Sequence, residues 1–132
     1  MALNILVVDD SSVMRKMIIR TIKMCGLEIA DIFEAENGKD GLEQLDQNWI
    51  DLLFIDVNMP VMDGLQMLEA VRSKPDTRDL PVLIVSTESN EKRIKIINER
   101  QAGFVHKPFT PETLRAKIIE TTGMVVGENI EP

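Results

Sequence analysis

The chain has 132 residues and a mass of 14.9 kDa, which is the size of one domain with a hydrophobic core of its own. Fifteen lysines and arginines against 22 aspartates and glutamates give a formal net charge of −7, which argues against a nucleic-acid binder and against attraction to an anionic membrane surface. The single cysteine, Cys25, excludes an internal disulfide framework, and no apolar run reaches the length of a membrane span, so we expect a cytoplasmic protein.

Short apolar runs alternate along the chain with longer segments of helical periodicity. The first run, residues 3–8, is nearly continuous in apolar residues, which predicts a strand that is buried on both faces. Strands are predicted at residues 3–8, 29–33, 51–55, 80–85 and 104–106. Helices are predicted at residues 13–25, 38–48, 64–73, 90–101 and 111–122. The first helix is expected to begin after an N-cap at Ser11 or Ser12, and the last after Thr110 with Pro111 in its first turn.

Five strands that alternate with five helices indicate βαβ units with right-handed crossovers. The predicted fold class is therefore α/β, a doubly wound five-stranded parallel sheet with helices on both faces. We expect one domain over residues 1–122 and a short tail over residues 123–132. The eight methionines, whose side chains are flexible, are expected to fill the core, among them Met14, Met17, Met59 and Met62.

Polar side chains follow four of the predicted strands, and sites in open α/β sheets form beyond these carboxyl ends. They are Asp9 and Asp10, Asp56, Ser86, and Lys107. Two carboxylates about 4 Å apart repel by roughly 4 kcal/mol at an effective dielectric near 20, so three of them together need a cation, and Mg²⁺ suits oxygen ligands. Solvated loop acids or helix caps are the alternative interpretation, but the agreement of four strand ends favours a site.

Four segments at these strand ends resemble the receiver domain of two-component response regulators, and the resemblance extends over nearly the whole chain. They are Asp9-Asp10-Ser11, Asp56-Val57-Asn58-Met59-Pro60-Val61-Met62-Asp63-Gly64, Pro81-Val82-Leu83-Ile84-Val85-Ser86 and Ala102-Gly103-Phe104-Val105-His106-Lys107-Pro108-Phe109. The resemblance implies a flavodoxin-like fold with the strand order 2-1-3-4-5.

The resemblance also implies a role for each residue of the predicted site. Asp56 would be the phosphoacceptor, taking a phosphoryl group from a sensor histidine kinase to form an acyl phosphate. Asp10, Asp56 and the backbone carbonyl of Asn58 would hold Mg²⁺, with Asp9 reaching it directly or through a water, and the metal would neutralise charge on the phosphoryl oxygens. Lys107 would pair with a phosphoryl oxygen, and the Lys107–Pro108 peptide bond is expected to be cis.

The resemblance implies that further residues change conformation on phosphorylation or set how fast the phosphoryl group is lost. Ser86 occupies the position of the switch hydroxyl, and Phe104 that of an aromatic side chain that moves inward with it. Asn58, Thr87 and Glu88 stand where the family tunes loss of the phosphoryl group. The output would be repacking of the face formed by the fourth helix, fifth strand and fifth helix, which would bind a downstream protein, with the chain a monomer or a phosphorylation-dependent dimer.

Several other functions share parts of this pattern. A phosphohydrolase of the haloacid dehalogenase type also forms an aspartyl phosphate, but it needs an acid two residues after the nucleophile, where this chain has Asn58. A flavin binder would not place Asp9 and Asp10 where a phosphate must bind. A phosphorylation-independent interaction module would be expected to have lost some of the acids. We therefore expect a non-enzymatic signalling protein of the chemotaxis type, with a phosphorelay intermediate as the alternative.

Overall fold

A computed structural model describes residues 2–57, 59–87 and 91–123 and confirms the predicted α/β fold class. The strands are β1 (Leu3–Val8), β2 (Ile29–Ala35), β3 (Leu52–Ile55), β4 (Val82–Ser86) and β5 (Gly103–His106). The helices are α1 (Ser12–Met24), α2 (Gly38–Gln47), α3 (Gly64–Ser73), α4 (Glu91–Glu99) and α5 (Pro111–Thr122). None of the helices in these ranges combines the length and the apolar character that crossing a membrane requires.

The five strands form one parallel sheet in the order β2-β1-β3-β4-β5, which confirms the order implied by the resemblance. Val8 at the end of β1 pairs with Ala35 of β2 on one side and with Ile55 of β3 on the other. The chain turns outward in opposite directions from β1 and β3, so the strand order reverses between them. A crevice forms at such a reversal, at the carboxyl ends of the strands.

The sheet separates two hydrophobic cores, one on each face. One core packs α2, α3 and α4 on the sheet, with Met67, Leu68 and Ile97 fully buried. The other packs α1 and α5 through side chains that include Ile18 and Leu114. Helices on both faces explain why the central strands β1, β3 and β4 are buried at nearly every position, whereas the edge strand β2 has exposed positions.

Side-chain caps fix where the helices begin. Ser11 is the N-cap of α1 and accepts a hydrogen bond from the amide of Met14, which decides between the two predicted serines. Asp63 caps α3 in a capping box with Gln66, and Thr110 caps α5 ahead of Pro111 as predicted. Gly123 ends α5 in a left-handed conformation; the predicted tail continues over residues 124–132, which lie outside the described residues.

The structure corrects some of the sequence-based expectations. Met14 and Met62 are partly buried and Met59 is buried, but Met17 is 50% exposed and Met24 is 63% exposed, so the prediction that these two fill the core is wrong. Residue 17 lies about 100° around the helix from Ile18, through which α1 meets the sheet. The second strand is longer than predicted because Glu34 and Ala35 still pair with β1.

Candidate functional site

The site lies where β1 and β3 end side by side. Asp9 follows the last residue of β1, and Asp56 follows the last residue of β3. The amide of Asp56 donates to the carbonyl oxygen of Val8 at 3.0 Å, so the parallel pairing extends to the phosphoacceptor candidate itself. Two aspartates distant in sequence therefore meet in the crevice at the strand-order reversal.

Asp9, Asp10 and Asp56 form a carboxylate cluster in the described part of the chain. One oxygen from each lies within 4.8 Å of the others. Asp9 is 2% exposed, the Asp56 side chain is 11% exposed, and Asp10 is open to solvent. Buried and solvent-accessible carboxylate oxygens therefore lie close together around one point. Hard divalent cations such as Mg²⁺ bind oxygen ligands of this kind.

Asp9 shows most clearly that the cluster suits a cation. Its Oδ1 accepts a hydrogen bond from the amide of Ser11 at 2.9 Å, whereas its Oδ2 is buried without a hydrogen-bond partner. Burial raises the pKa of Asp9 to about 6; the Ser11 amide opposes this, and the charges of Asp56 and Asp10 add to it. A buried oxygen without a partner is unfavourable, and a cation would supply the missing interaction.

Asp56 has the other two acids of the cluster, Asp9 and Asp10, and a lysine as neighbours. Burial raises the pKa of Asp56 above its ordinary value, the positive charge of Lys107 opposes the rise, and the negative charge of Asp10 adds to it. The Nζ of Lys107 is 3.6 Å from Oδ1 of Asp56, and both side chains are largely buried. Asp56 is therefore close both to the positively charged ammonium group of Lys107 and to the carboxylates of Asp9 and Asp10.

The segment after Asp56 turns back closely against it. The amide of Gly64 donates to the carbonyl oxygen of Val57 at 2.9 Å. A Cβ added at Gly64 would overlap the main-chain carbonyl of Asp56, so only glycine allows α3 to begin this close to the site. Asp63, just before it, caps the helix.

Strands β4 and β5 bring Ser86 and Lys107 to the same edge of the sheet. Ser86 pairs with His106, and the amide of Lys107 donates to the carbonyl oxygen of Ser86 at 2.9 Å. Ser86 is 1% exposed, Thr87 is exposed, and the Lys107–Pro108 peptide bond is cis, as predicted. The backbone of β5 thus delivers the lysine toward Asp56.

Phe104 occupies β5 and is half-buried against the core that contains α4. Its ring makes an edge-on contact with the ring of His106, with centroids 6.1 Å apart. Of the other residues predicted for this region, Asn58 and Glu88 lie outside the described residues.

The structure adds one residue that sequence reasoning missed. Arg15 of α1 donates from Nη1 to the carbonyl oxygen of Asp9 at 2.6 Å, and its Nε pairs with Oε1 of Glu34 at 2.8 Å. The one signal in the sequence is a basic residue near the amino end of a helix, where the helix dipole disfavours positive charge.

Comparisons with known proteins agree with this geometry. Residues 5–119 match the family model described as response regulator receiver domain. The chain belongs to the response regulator receiver domain family. It is 36% identical over 130 residues to a chemotaxis protein CheY homolog of Campylobacter jejuni, covering 96% of this chain and 97% of that protein.

Two further relatives show the same likeness. Chemotaxis protein CheY1 of Helicobacter pylori is 38% identical over 120 residues, covering 88% of this chain and 94% of the relative. The crystal structure of the Vibrio cholerae chemotaxis protein CheY4 superimposes with a TM-score of 0.80 at 31% identity, covering 92% of this receiver domain and 99% of that chain. The family and fold that the sequence motifs implied are thus confirmed.

Proposed function

We propose that this receiver domain accepts a phosphoryl group on Asp56 from a sensor histidine kinase in a Mg²⁺-dependent reaction. The observation that carries the proposal is the position of Asp56 beside Lys107 Nζ, 3.6 Å away, and within the cluster with Asp9 and Asp10. Positive charge from the lysine and from a bound cation is what a transferring phosphoryl group needs on its oxygens.

The chemical step needs no co-reactant beyond the phosphodonor. An oxygen of the Asp56 carboxylate attacks the phosphorus of the kinase phosphohistidine, forming a P–O bond as the P–N bond breaks. The electron pair of the broken bond returns to the imidazole nitrogen of the kinase, and the product is an acyl phosphate on Asp56. Asp10, Asp56 and the backbone carbonyl of Asn58, with Asp9 directly or through a water, would hold Mg²⁺, which would supply charge neutralisation at the phosphoryl oxygens.

The residues around Asp56 receive the following roles in this proposal. Lys107 binds a phosphoryl oxygen, Ser86 is the switch hydroxyl, and Phe104 repacks when Ser86 moves. Thr87, with Asn58 and Glu88 outside the described residues, tunes loss of the phosphoryl group to water. Two observations support these roles: the described residues lie at one edge of the sheet, and the chain belongs to the receiver domain family.

The output we propose is a binding event on the face formed by α4, β5 and α5. Relatives that cover nearly the whole chain are chemotaxis proteins, which favours chemotaxis-type signalling by a protein that is not a turnover enzyme. A phosphorelay intermediate, which passes the phosphoryl group to a histidine phosphotransfer protein, uses the same site and is the second candidate. The assignment of residues 1–122 to the receiver domain and 123–132 to a tail is part of this proposal.

Intact-protein mass spectrometry tests phosphoryl acceptance. The full chain is incubated with acetyl phosphate, with Mg²⁺ or with a chelator, beside the variants Asp56→Asn and Asp31→Asn. Asp31 is an exposed aspartate on β2 and serves as the matched control. We expect one added phosphoryl group in the wild type and in Asp31→Asn, only with Mg²⁺, and none in Asp56→Asn. Equal labelling of Asp56→Asn, at a residue that is also labelled in the wild type, would refute the proposal.

A further inference from the structure

Arg15 reaches from α1 to the first carboxylate of the site. Its side chain is only 15% exposed, although it lies on a helix at the surface. Nη1 donates to the main-chain oxygen of Asp9 at 2.6 Å, while Nε donates to the carboxylate of Glu34 on β2 at 2.8 Å. One guanidinium therefore ties together the loop after β1, helix α1 and strand β2.

This contact completes the restraint of Asp9. The amide of Asp9 donates to the carbonyl oxygen of Ala35 at 3.1 Å, and its Oδ1 accepts from the amide of Ser11 at 2.9 Å. With Arg15 on its carbonyl oxygen, Asp9 is held through its backbone on both sides and through one carboxylate oxygen. The remaining oxygen, Oδ2, is buried and has no hydrogen-bond partner, so it is available to a cation bound by the cluster.

We propose that Arg15, held by Glu34, is a positioning residue for the divalent-cation site formed by Asp9, Asp10 and Asp56. This inference rests on the proposed function, because it assumes that the cluster binds Mg²⁺. Only residues 9–11 connect β1 to α1. The carbonyl of Asp9 belongs to the peptide group that joins Asp9 to Asp10, so a contact that holds this carbonyl restrains the positions of both carboxylates. Cation affinity depends on how firmly the surrounding structure holds its ligands.

The shape of the arginine matters for this role. Its planar fork sends Nη1 to Asp9 and Nε to Glu34 at the same time, whereas a lysine offers one nitrogen.

The rival interpretation is that Arg15 only neutralises its acidic neighbours. Arg15 is the one basic residue among the described residues that line a shallow cavity on this side of the site. The other charged residues of that lining are all acidic, namely Glu34, Glu36, Asp40 and Glu43.

The two interpretations predict opposite changes in cation affinity. Removing a positive charge near a cation site strengthens Mg²⁺ binding if charge alone matters. If Arg15 positions Asp9, its removal weakens binding despite that gain. A lysine at this position keeps the charge and loses the fork, so it separates the two effects further.

Calorimetric titration of the full, unphosphorylated chain with MgCl₂ is the test. We expect Arg15→Ala and Arg15→Lys each to weaken Mg²⁺ affinity by about tenfold, the lower end of what lost outer-shell partners produce. Glu34→Gln should weaken it less, in the same direction. Arg20→Ala and Arg20→Lys, at an exposed arginine on the same helix, should leave the affinity unchanged.

A second readout separates positioning from general loss of structure. Acetyl phosphate labelling of Arg15→Lys should recover to the wild-type rate when Mg²⁺ is raised to saturation, because only the ligand geometry is weakened. Wild-type affinity in Arg15→Lys, or tighter binding in Arg15→Ala, overturns the role of Arg15, and unchanged affinity in Glu34→Gln overturns that of Glu34. If the wild type binds no Mg²⁺, the cation site itself is wrong, which is a different result from a failure confined to the variants.

Discussion

The buried carboxyl group of Asp9 lowers the stability of the fold, but the proposed cation site requires it. Its carboxyl group is buried beside two other acids, and one of its oxygens has no hydrogen-bond partner. For stability alone, a neutral side chain would serve better at this position. A cation-binding role explains why an ionisable group is placed there.

The raised pKa of Asp9 gives a stability prediction with a definite sign. An acid whose pKa rises from 3.8 in the unfolded chain to about 6 in the folded protein favours folding at low pH, and this contribution is lost as the pH rises from about 4 to about 6. Two pKa units correspond to about 3 kcal/mol at most. In chelator, we expect Asp9→Asn to raise the unfolding free energy above wild type at pH 7 by about 1–3 kcal/mol, with little difference at pH 4.

Urea unfolding at a series of pH values measures this difference. Asp31→Asn, at an exposed position, is the matched control and should follow the wild-type curve. If Asp9→Asn is less stable than wild type at pH 7 in chelator, burial of the Asp9 carboxylate does not destabilise the folded protein.

At the scale of the elements, the connection from β3 to α3 determines where Asp56 lies. The loop returns so closely that a side chain at Gly64 would overlap the carbonyl of Asp56. By contrast, a Cβ at Gly123, after α5, would meet open space and only strain a left-handed backbone.

These two glycines form a matched pair for a test. Gly64→Ala should lower the unfolding free energy by about 1–3 kcal/mol through overpacking and slow labelling by acetyl phosphate, because Asp56 must shift. Gly123→Ala should cost about 1–2 kcal/mol of backbone strain and label at the wild-type rate. Unfolding curves and labelling rates of both variants check this. Normal labelling in Gly64→Ala would show that the tight turn does not position Asp56.

The elements also show what the sequence could and could not predict. The central strands β1, β3 and β4 were predictable because burial on both faces makes them nearly continuous apolar runs. Helices α3 and α5 were predictable because Asp63, Gly64, Thr110 and Pro111 mark their starts. The end of β2 was missed, since its pairing with β1 continues through the polar Glu34. Met17 was misplaced because periodicity locates an apolar stripe only to within a neighbouring residue.

The same limit applies to the site. Asp9, Asp56 and Lys107 could be predicted because each directly follows a strand, and the ends of parallel strands meet at one edge. Arg15 could not, because its two partners are a backbone carbonyl and a glutamate on another strand. Such contacts depend on the folded positions of three elements, which no local pattern encodes.

At the scale of the whole molecule, the fold alone does not decide the function. Doubly wound sheets serve phosphohydrolases and flavin binders as well as receiver domains. What distinguishes this chain is the combination of acids after β1 and β3 with a lysine after β5, in a protein of net charge −7. Phosphorylation would replace the single negative charge of the Asp56 carboxylate with roughly −1.5 to −2 charges on a phosphoryl group at this already acidic edge, where the lysine and a bound cation would offset them.

The most direct test of this account is to locate the phosphoryl group on the unaltered chain, because a substitution at one acid can redirect labelling to its neighbour. The chain is labelled with acetyl phosphate and Mg²⁺, reduced with borohydride, which converts an aspartyl phosphate to homoserine, and mapped by peptide mass spectrometry. We predict reduction at Asp56 alone, and none when Mg²⁺ is chelated. Reduction at Asp9 or Asp10, or at Asp56 equally without Mg²⁺, would contradict the account.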